Sequence, residues 1–223
     1  MMIFVIDTSG ITDPRLREAL GASSLDEVVD KLADLMGIAR LKLGMSFYMP
    51  PSMFEELKRF LIRNNVKIET INKLAAVLVV KAPDKIRTQI PAIVMSRYVE
   101  EIAKRLFKGL RVAEESVRRT ARTITSKSSK NREERDGKIR IEEVVGNIIH
   151  DLREKYREAT RRGVVDTVVD FDAVMLAVEL RATMVTNDEG IRRLCEDLGI
   201  IVVDPLTFLE MLRRFQEYSE KSL

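Results

Sequence analysis

The chain has 223 residues, 45% hydrophobic and 33% charged, which suits one α/β core with a sizeable insertion and excludes a disordered polymer. A single cysteine, Cys195, and a single histidine, His150, exclude an internal disulfide, a His-rich zinc site and catalysis by paired histidines. The net charge of +3 is uneven: residues 104–140 carry 13 Lys and Arg against 5 Asp and Glu, a net +8 that leaves −5 on the rest.

A basic segment on an acidic body points to an anionic polymer as partner. The apolar run ending at Asp7 is too short for a signal peptide, and no run approaches the ~20 apolar residues of a membrane span. A cytoplasmic protein without membrane contact is the expectation.

Ile3 to Ile6 reads as a central parallel strand that delivers Asp7, then Thr8 and Ser9, at its carboxyl end. In open α/β sheets that edge binds ligands. Asp13-Pro14 opens a short helix ended by Gly21, and Ser24 with Glu27 forms a capping box for a second helix closed by Gly37. A strand is expected at about 41–48, and a helix from Pro50-Pro51 to about Arg63 carries Glu55 and Glu56. Further β-rich runs lie near 66–71 and 76–80.

From Pro91 to about Thr125 the chain has no further proline and one glycine, with apolar residues recurring at helical spacing. That predicts a helix of roughly 50 Å. The polar turn 126–131 and Asp136-Gly137 separate it from a second helix at about 141–162, which makes an antiparallel hairpin. The expected organisation is therefore a sheet domain of residues 1–90 and 163–223, with residues 91–162 as an inserted arm.

The stretch 163–190 gathers Asp166, Asp170, Asp172 and Asp188, with Glu189 beside the last. Its apolar run 173–180 reads as a helix with Asp170 as N-cap and Asp172 in the first turn. Thr183 to Thr186 form a strand that ends at Asn187-Asp188, and α/β alternation continues to the end of the chain. Asp7 and Asp188 thus end parallel strands on one sheet edge. Carboxylates gathered this way call for a cation among them, and Mg²⁺ takes oxygen ligands readily. Asp170 also reads as a helix cap alone, and Glu55 and Glu56 as solvated helix residues.

Asp7-Thr8-Ser9 after an apolar strand, a helix opening with Asp172, and Thr186-Asn187-Asp188 resemble the best-marked parts of a PIN-type nuclease domain. The spacing of Asp166, Asp170, Asp172 and Asp188 after a long helical hairpin is similar to one group, the RNA-free ribonuclease P family known as homologues of Aquifex RNase P. The resemblance spans nearly the whole chain. It implies a Rossmann-like parallel sheet with an inserted arm, precursor tRNA as substrate, removal of its 5′ leader to leave a 5′ phosphate, and no RNA subunit. It also implies higher oligomers built through the arm.

On this basis Asp7, Asp166, Asp170, Asp172 and Asp188 are the catalytic set. Asp7, Asp170, Asp172 and Asp188 are the ligands of two Mg²⁺ or Mn²⁺ ions that activate a water and stabilise the leaving 3′ oxygen. Ser9, Asn187 and Glu189 stand as supporting groups. On the arm, Arg111, Arg118 and Arg122 fall at i, i+7 and i+11 with Arg119 adjacent, a stripe suited to phosphate.

Three rivals frame this expectation. A toxin-type PIN nuclease is generally smaller and lacks such an arm. A non-catalytic RNA-binding scaffold has no reason to keep mutually repelling carboxylates. A haloacid-dehalogenase-type phosphatase needs its Asp-x-Asp directly after the first strand, where Asp7-Thr8-Ser9 stands instead.

Overall fold

The computed structural model describes residues 2–128, 134–161, 165 and 167–221, with side chains for 2–125, 142–160, 165 and 167–217. It divides into two compact units, Met1–Ile90 with Gly163–Leu223, and Pro91–Arg162.

The first unit is built on five parallel strands in the order β3-β2-β1-β4-β5: β1 Ile3–Ile6, β2 Ser46–Met49, β3 Leu78–Val80, β4 Thr183–Val185 and β5 Val202–Val203. Phe4 lies in register with Phe47 on one side and Thr183 on the other. The chain runs outward from β1 through β2 and β3, then returns to β1's other side with β4. That reversal places the switch point, where ligands bind in such sheets, between β1 and β4. Asp7 extends β1 by donating its backbone N–H to Val185 O at 3.0 Å, and Thr186 extends β4 by donating to Val203 O at 3.1 Å.

Parallel strands need crossover helices, and these cover the sheet. They are α1 Ser9–Thr12, α2 Arg15–Ala19, α3 Leu25–Leu43, α4 Pro51–Arg63, α5 Ile68–Val77, α8 Val168–Leu180, α9 Glu189–Asp197 and α10 Pro205–Lys221. Between sheet and α10, Phe4, Phe47 and Phe208 form a buried trio with ring centroids 5.3–5.9 Å apart. Helix α8 buries Ala173 to Ala177 without interruption, as a helix covered on most of its surface must.

Several boundaries differ from the sequence expectation. Helix α3 continues through Gly37 to Leu43, because Val28, Leu32, Met36 and Ala39 keep its buried stripe going. It stops instead at Gly44, whose left-handed φ of 64° suits glycine, and β2 starts only at Ser46. The β-rich run at 66–71 is helical from Ile68, since Ile71 and Leu74 pack α5 inward and burial outweighs β-branched preference. Helix α8 is capped by Thr167 rather than Asp170.

The second unit is a hairpin of α6 Ala92–Ser128 and α7 Glu134–Arg161, the latter starting earlier than Asp136-Gly137 suggests. Gly109 sits where the helices touch: a Cβ there would lie 2.7 Å from both Tyr156 and Thr160. At about 100° per residue α6 has three faces. Arg105, Gly109, Val112 and Ser116 form one, buried or half-buried. Val99, Leu106, Leu110 and Val117 form a second, and all four are 55–69% exposed. Arg111, Arg118 and Arg122 form the third, also exposed. Among the described residues no helix is long and apolar enough to cross a membrane.

Candidate active site

The site is organised by Asp7, which is 6% exposed at the carboxyl end of β1. Two hydroxyls donate to its Oδ2, Ser9 Oγ at 2.7 Å and Thr186 Oγ1 at 2.8 Å. Each hydroxyl is itself held by the loop after β4. Asn187 N donates to Ser9 Oγ at 2.8 Å, and Asp188 N donates to Thr186 Oγ1 at 2.9 Å. The same hydrogen-bond chain therefore fixes both Asp7 and the backbone that carries Asp188. Burial pushes the Asp7 carboxyl above its ordinary pKa, the Ser9 and Thr186 hydroxyls pull it back, and the charge of Asp188 raises it again.

Asp188 is exposed and is the N-cap of α9, its Oδ1 accepting from Ile191 N at 2.9 Å. Asp170 enters from α8. Thr167 Oγ1 accepts from Asp170 N at 3.1 Å and donates to Asp170 Oδ2 at 2.6 Å, a reciprocal cap that fixes the carboxylate at the helix start. Its pKa is raised, first by burial and then by the charges of Asp7, Asp188 and Glu56, against the lowering by Thr167. Three carboxylates from β1, α8 and the β4–α9 junction thus act on one another, and Glu56 on α4 adds a fourth charge.

Asp172 is two residues beyond Asp170, about 200° around the helix. It stands with another partner, Lys85 Nζ, at 2.5 Å from its Oδ1. That buried oxygen receives no properly aligned hydrogen bond. Asp166 lies outside the described residues. Glu189 is exposed and pairs with Arg193 on the surface of α9, and Asn187 contributes its backbone amide.

Among the described residues no three acidic, His or Cys side chains stand close enough together to hold a metal ion as they are placed. The chemistry of the donor set nonetheless fits a hard divalent cation. Neighbouring hydroxyls converge on Oδ2 of both Asp7 and Asp170, and Ile191 N takes Oδ1 of Asp188, so each carboxylate is oriented by its neighbours. Burial first, and then the neighbouring carboxylate charges, raise the pKa of Asp7 and of Asp170, and a cation beside them would oppose that rise.

Thr186 and Thr167 are the residues that sequence reasoning leaves without a role. Both are legible in principle: Thr186 ends a β-branched run before Asn-Asp, and Thr167 lies three residues before an acid at a helix start. Glu56 is exposed, as a solvated helix residue should be, yet its charge acts on Asp170.

On the arm, Arg119 Nη1 donates to Asp151 Oδ2 at 2.8 Å, tying α6 to α7. Arg111, Arg119 and Lys155 line a cleft of about 230 Å³ between the two helices, with Glu115, Ser116 and Asp151. Arg118 has Glu114 at 3.9 Å. Among the described residues no ion pair to Arg111 or Arg122 is seen.

Residues 3–217 match the family model described as PINc domain ribonuclease. A protein of Hyperthermus butylicus called RNA-free ribonuclease P is 45% identical over 222 residues, covering 99% of this chain and 91% of that one. Proteins of the same name from Staphylothermus marinus and Methanocaldococcus jannaschii are 47% and 35% identical, covering 95% and 99% of this chain and 94% of each of theirs.

Proposed function

The chain belongs to the RNA-free ribonuclease P family of PINc-domain ribonucleases, and from that premise we propose how its residues remove the 5′ leader of precursor tRNA. It is an endoribonuclease that works without an RNA subunit, and nucleases with this domain depend on divalent metal. The observation that supports the assignment to these residues is the hydrogen-bond chain through Ser9 and Thr186 that joins Asp7 to the loop bearing Asp188 at the switch point of the sheet, with Asp170 held at the start of α8 by Thr167.

Asp7, Asp170 and Asp188 would hold Mg²⁺ or Mn²⁺, as a pair of ions; Asp166 joins the set on the strength of its spacing. A metal bound there would supply activation of a water and stabilisation of the leaving 3′ oxygen. The chain's own groups prepare the site. Ser9 and Thr186 donate to one oxygen of the buried Asp7 carboxyl and lower the pKa that burial raises. Thr167 does the same for Asp170. The elements that carry these carboxylates bring no His to act as a base; the chain's one His, His150, is on α7 of the arm.

The arm grips the tRNA. Arg111, Arg118 and Arg122 offer guanidinium forks to phosphates without reading bases, and Arg119 shares its charge with Asp151. The stripe of Val99, Leu106, Leu110 and Val117 is too apolar for a solvent face and joins this chain to further copies of itself. The enzyme works in the cytoplasm. A toxin-type PIN nuclease remains the second reading of the catalytic unit alone, and the long arm is what disfavours it.

The test compares the wild type with Asp188→Asn on a labelled precursor tRNA in Mg²⁺ and in EDTA. Cleavage by the wild type in Mg²⁺ alone supports the metal mechanism. Undiminished cleavage in EDTA, or by the variant, overturns it.

A further inference from the structure

Beyond β3 the chain does not leave the sheet unit at once. Lys81 N donates to Met49 O at 3.1 Å and prolongs the sheet by one residue. The next seven residues lie along α8. Lys81 Nζ donates to Glu179 Oε1 at 2.5 Å, and Asp84 N donates to Glu179 Oε2 at 2.7 Å. Asp84 then closes a turn on itself: its Oδ1 accepts from Ile86 N and Arg87 N at 3.1 Å each, and Thr88 N and Oγ1 both donate to its carbonyl. That turn presents Lys85 to Asp172.

Asp172 and Glu179 are seven residues apart, two turns along the same face of α8. The segment 81–88 therefore straps this face at two heights, with a Lys–carboxylate pair at each. The two pairs differ in depth. Lys81 and Glu179 are 38% and 24% exposed, whereas the Asp172 side chain is 14% exposed and Lys85 half exposed. The deeper pair is one turn into α8, two residues from Asp170.

We propose that Lys85 and Asp172 are positioning residues: their ion pair pins the first turns of α8 to the 81–88 strap and so fixes where Asp170 points. Asp172 acts through Asp170 and is not itself a metal ligand. The proposal rests on Asp170 being a ligand of the divalent cation, but not on precursor tRNA being the substrate.

Two arrangements give opposite signs. If Asp172 were a ligand and Lys85 a stand-in for the absent charge, removing Lys85 would leave metal binding unchanged or tighter, because a competing cation is gone. If the pair is a positioning device, removing either partner weakens metal binding. Groups that orient ligands from behind typically cost 10–100-fold in affinity when lost.

The experiment measures Mn²⁺ affinity by electron paramagnetic resonance for the full-length wild type, Lys85→Met, Lys85→Arg, Asp172→Asn and the Lys85→Met/Asp172→Asn double variant, with thermal melts to verify folding. The expected result is a loss of about tenfold for each single variant and no further loss in the double, although the double leaves net charge unchanged. Lys85→Arg should recover most of the affinity. In turnover of precursor tRNA at saturating Mg²⁺, Lys85→Met should lower kcat and leave KM near the wild-type value. Unchanged or tighter Mn²⁺ binding by Lys85→Met overturns the proposal, as does a loss in Asp172→Asn that Lys85→Met does not share. A wild type that binds Mn²⁺ but leaves precursor tRNA uncut would refute the substrate and not the positioning pair, which the binding series still decides.

Discussion

Thr186 Oγ1 donates a 2.8 Å hydrogen bond to Asp7 Oδ2 across 179 residues of sequence, and accepts one of 2.9 Å from Asp188 N. One fully buried hydroxyl thus links the ends of the two strands that flank the switch point. Thr186→Val keeps the shape but leaves a buried carboxylate with one donor fewer and a backbone amide without its acceptor. A loss of about 1–3 kcal/mol is expected, lowering the melting temperature by about 2–4 °C per kcal/mol, with Thr186→Ser recovering most of it. Chemical denaturation of the three proteins measures this directly. Equal stability of Thr186→Val and wild type would mean that the hydroxyl bridge contributes nothing.

Asp7→Asn should abolish cleavage and at the same time stabilise the metal-free protein at neutral pH. The sign follows from the direction of the shift. A carboxylate whose folded pKa is raised contributes stability below the ordinary aspartate value of about 3.9, and loses it as pH rises through the folded value. At pH 7 an aspartate with a raised pKa at this buried position weighs against the fold, and the amide relieves that. Thermal melts in EDTA should show Asn above Asp at pH 7, with the gap closing as pH falls below about 4. A variant that melts lower at pH 7 contradicts this.

The arm is expected to supply affinity rather than chemistry. Replacing Arg111, Arg118 and Arg122 together with Ala should weaken precursor binding on the order of tenfold or more. It should also reduce the slope of log affinity against log salt by about one for each phosphate that the arm no longer grips. Binding measured in Ca²⁺ across a salt series tests both, and unchanged slope and affinity would mean that the stripe is only solvated.

Leu106→Glu with Leu110→Glu puts two charges in the exposed apolar stripe of α6. Light scattering should then report a smaller assembly than the wild type, with melting of the sheet unit unaffected. An unchanged mass for the double variant excludes this stripe as the surface that joins copies.

Much of the site is legible in the sequence because strand ends are. Asp7 and Asp188 follow short apolar runs, and a parallel sheet brings such ends to one edge whatever the details between them. Asp170 and Asp172 are harder, because position on a helix matters more than proximity in sequence. Residues two apart on a helix diverge, and reading Asp170 as the cap hides that Thr167 sets the phase. The start of α5 and the end of α3 escape the sequence for a related reason, since burial against other elements decides both. Lys85 carries no signal at all: a lysine in a polar turn looks solvated until Glu179, 98 residues after Lys81, is seen to hold that turn against α8. The arm's two-helix form is plain from its periodicity. Which faces stay exposed is not, because that depends on where α7 lies.

The most direct measurement maps the cut in precursor tRNAs that share one folded body and carry 5′ leaders of unrelated sequence. Few aromatic side chains are available to read bases, and the proposed role of the arm is to grip phosphates, so the position of the cut should follow from the folded tRNA body. In Mg²⁺ each substrate should give a single cut at the leader–acceptor junction, with a 5′ phosphate on the tRNA product, and precision should fall when the tRNA fold is disrupted. Efficient cleavage of unstructured RNA at a preferred short sequence, with the folded precursors left intact, would contradict it.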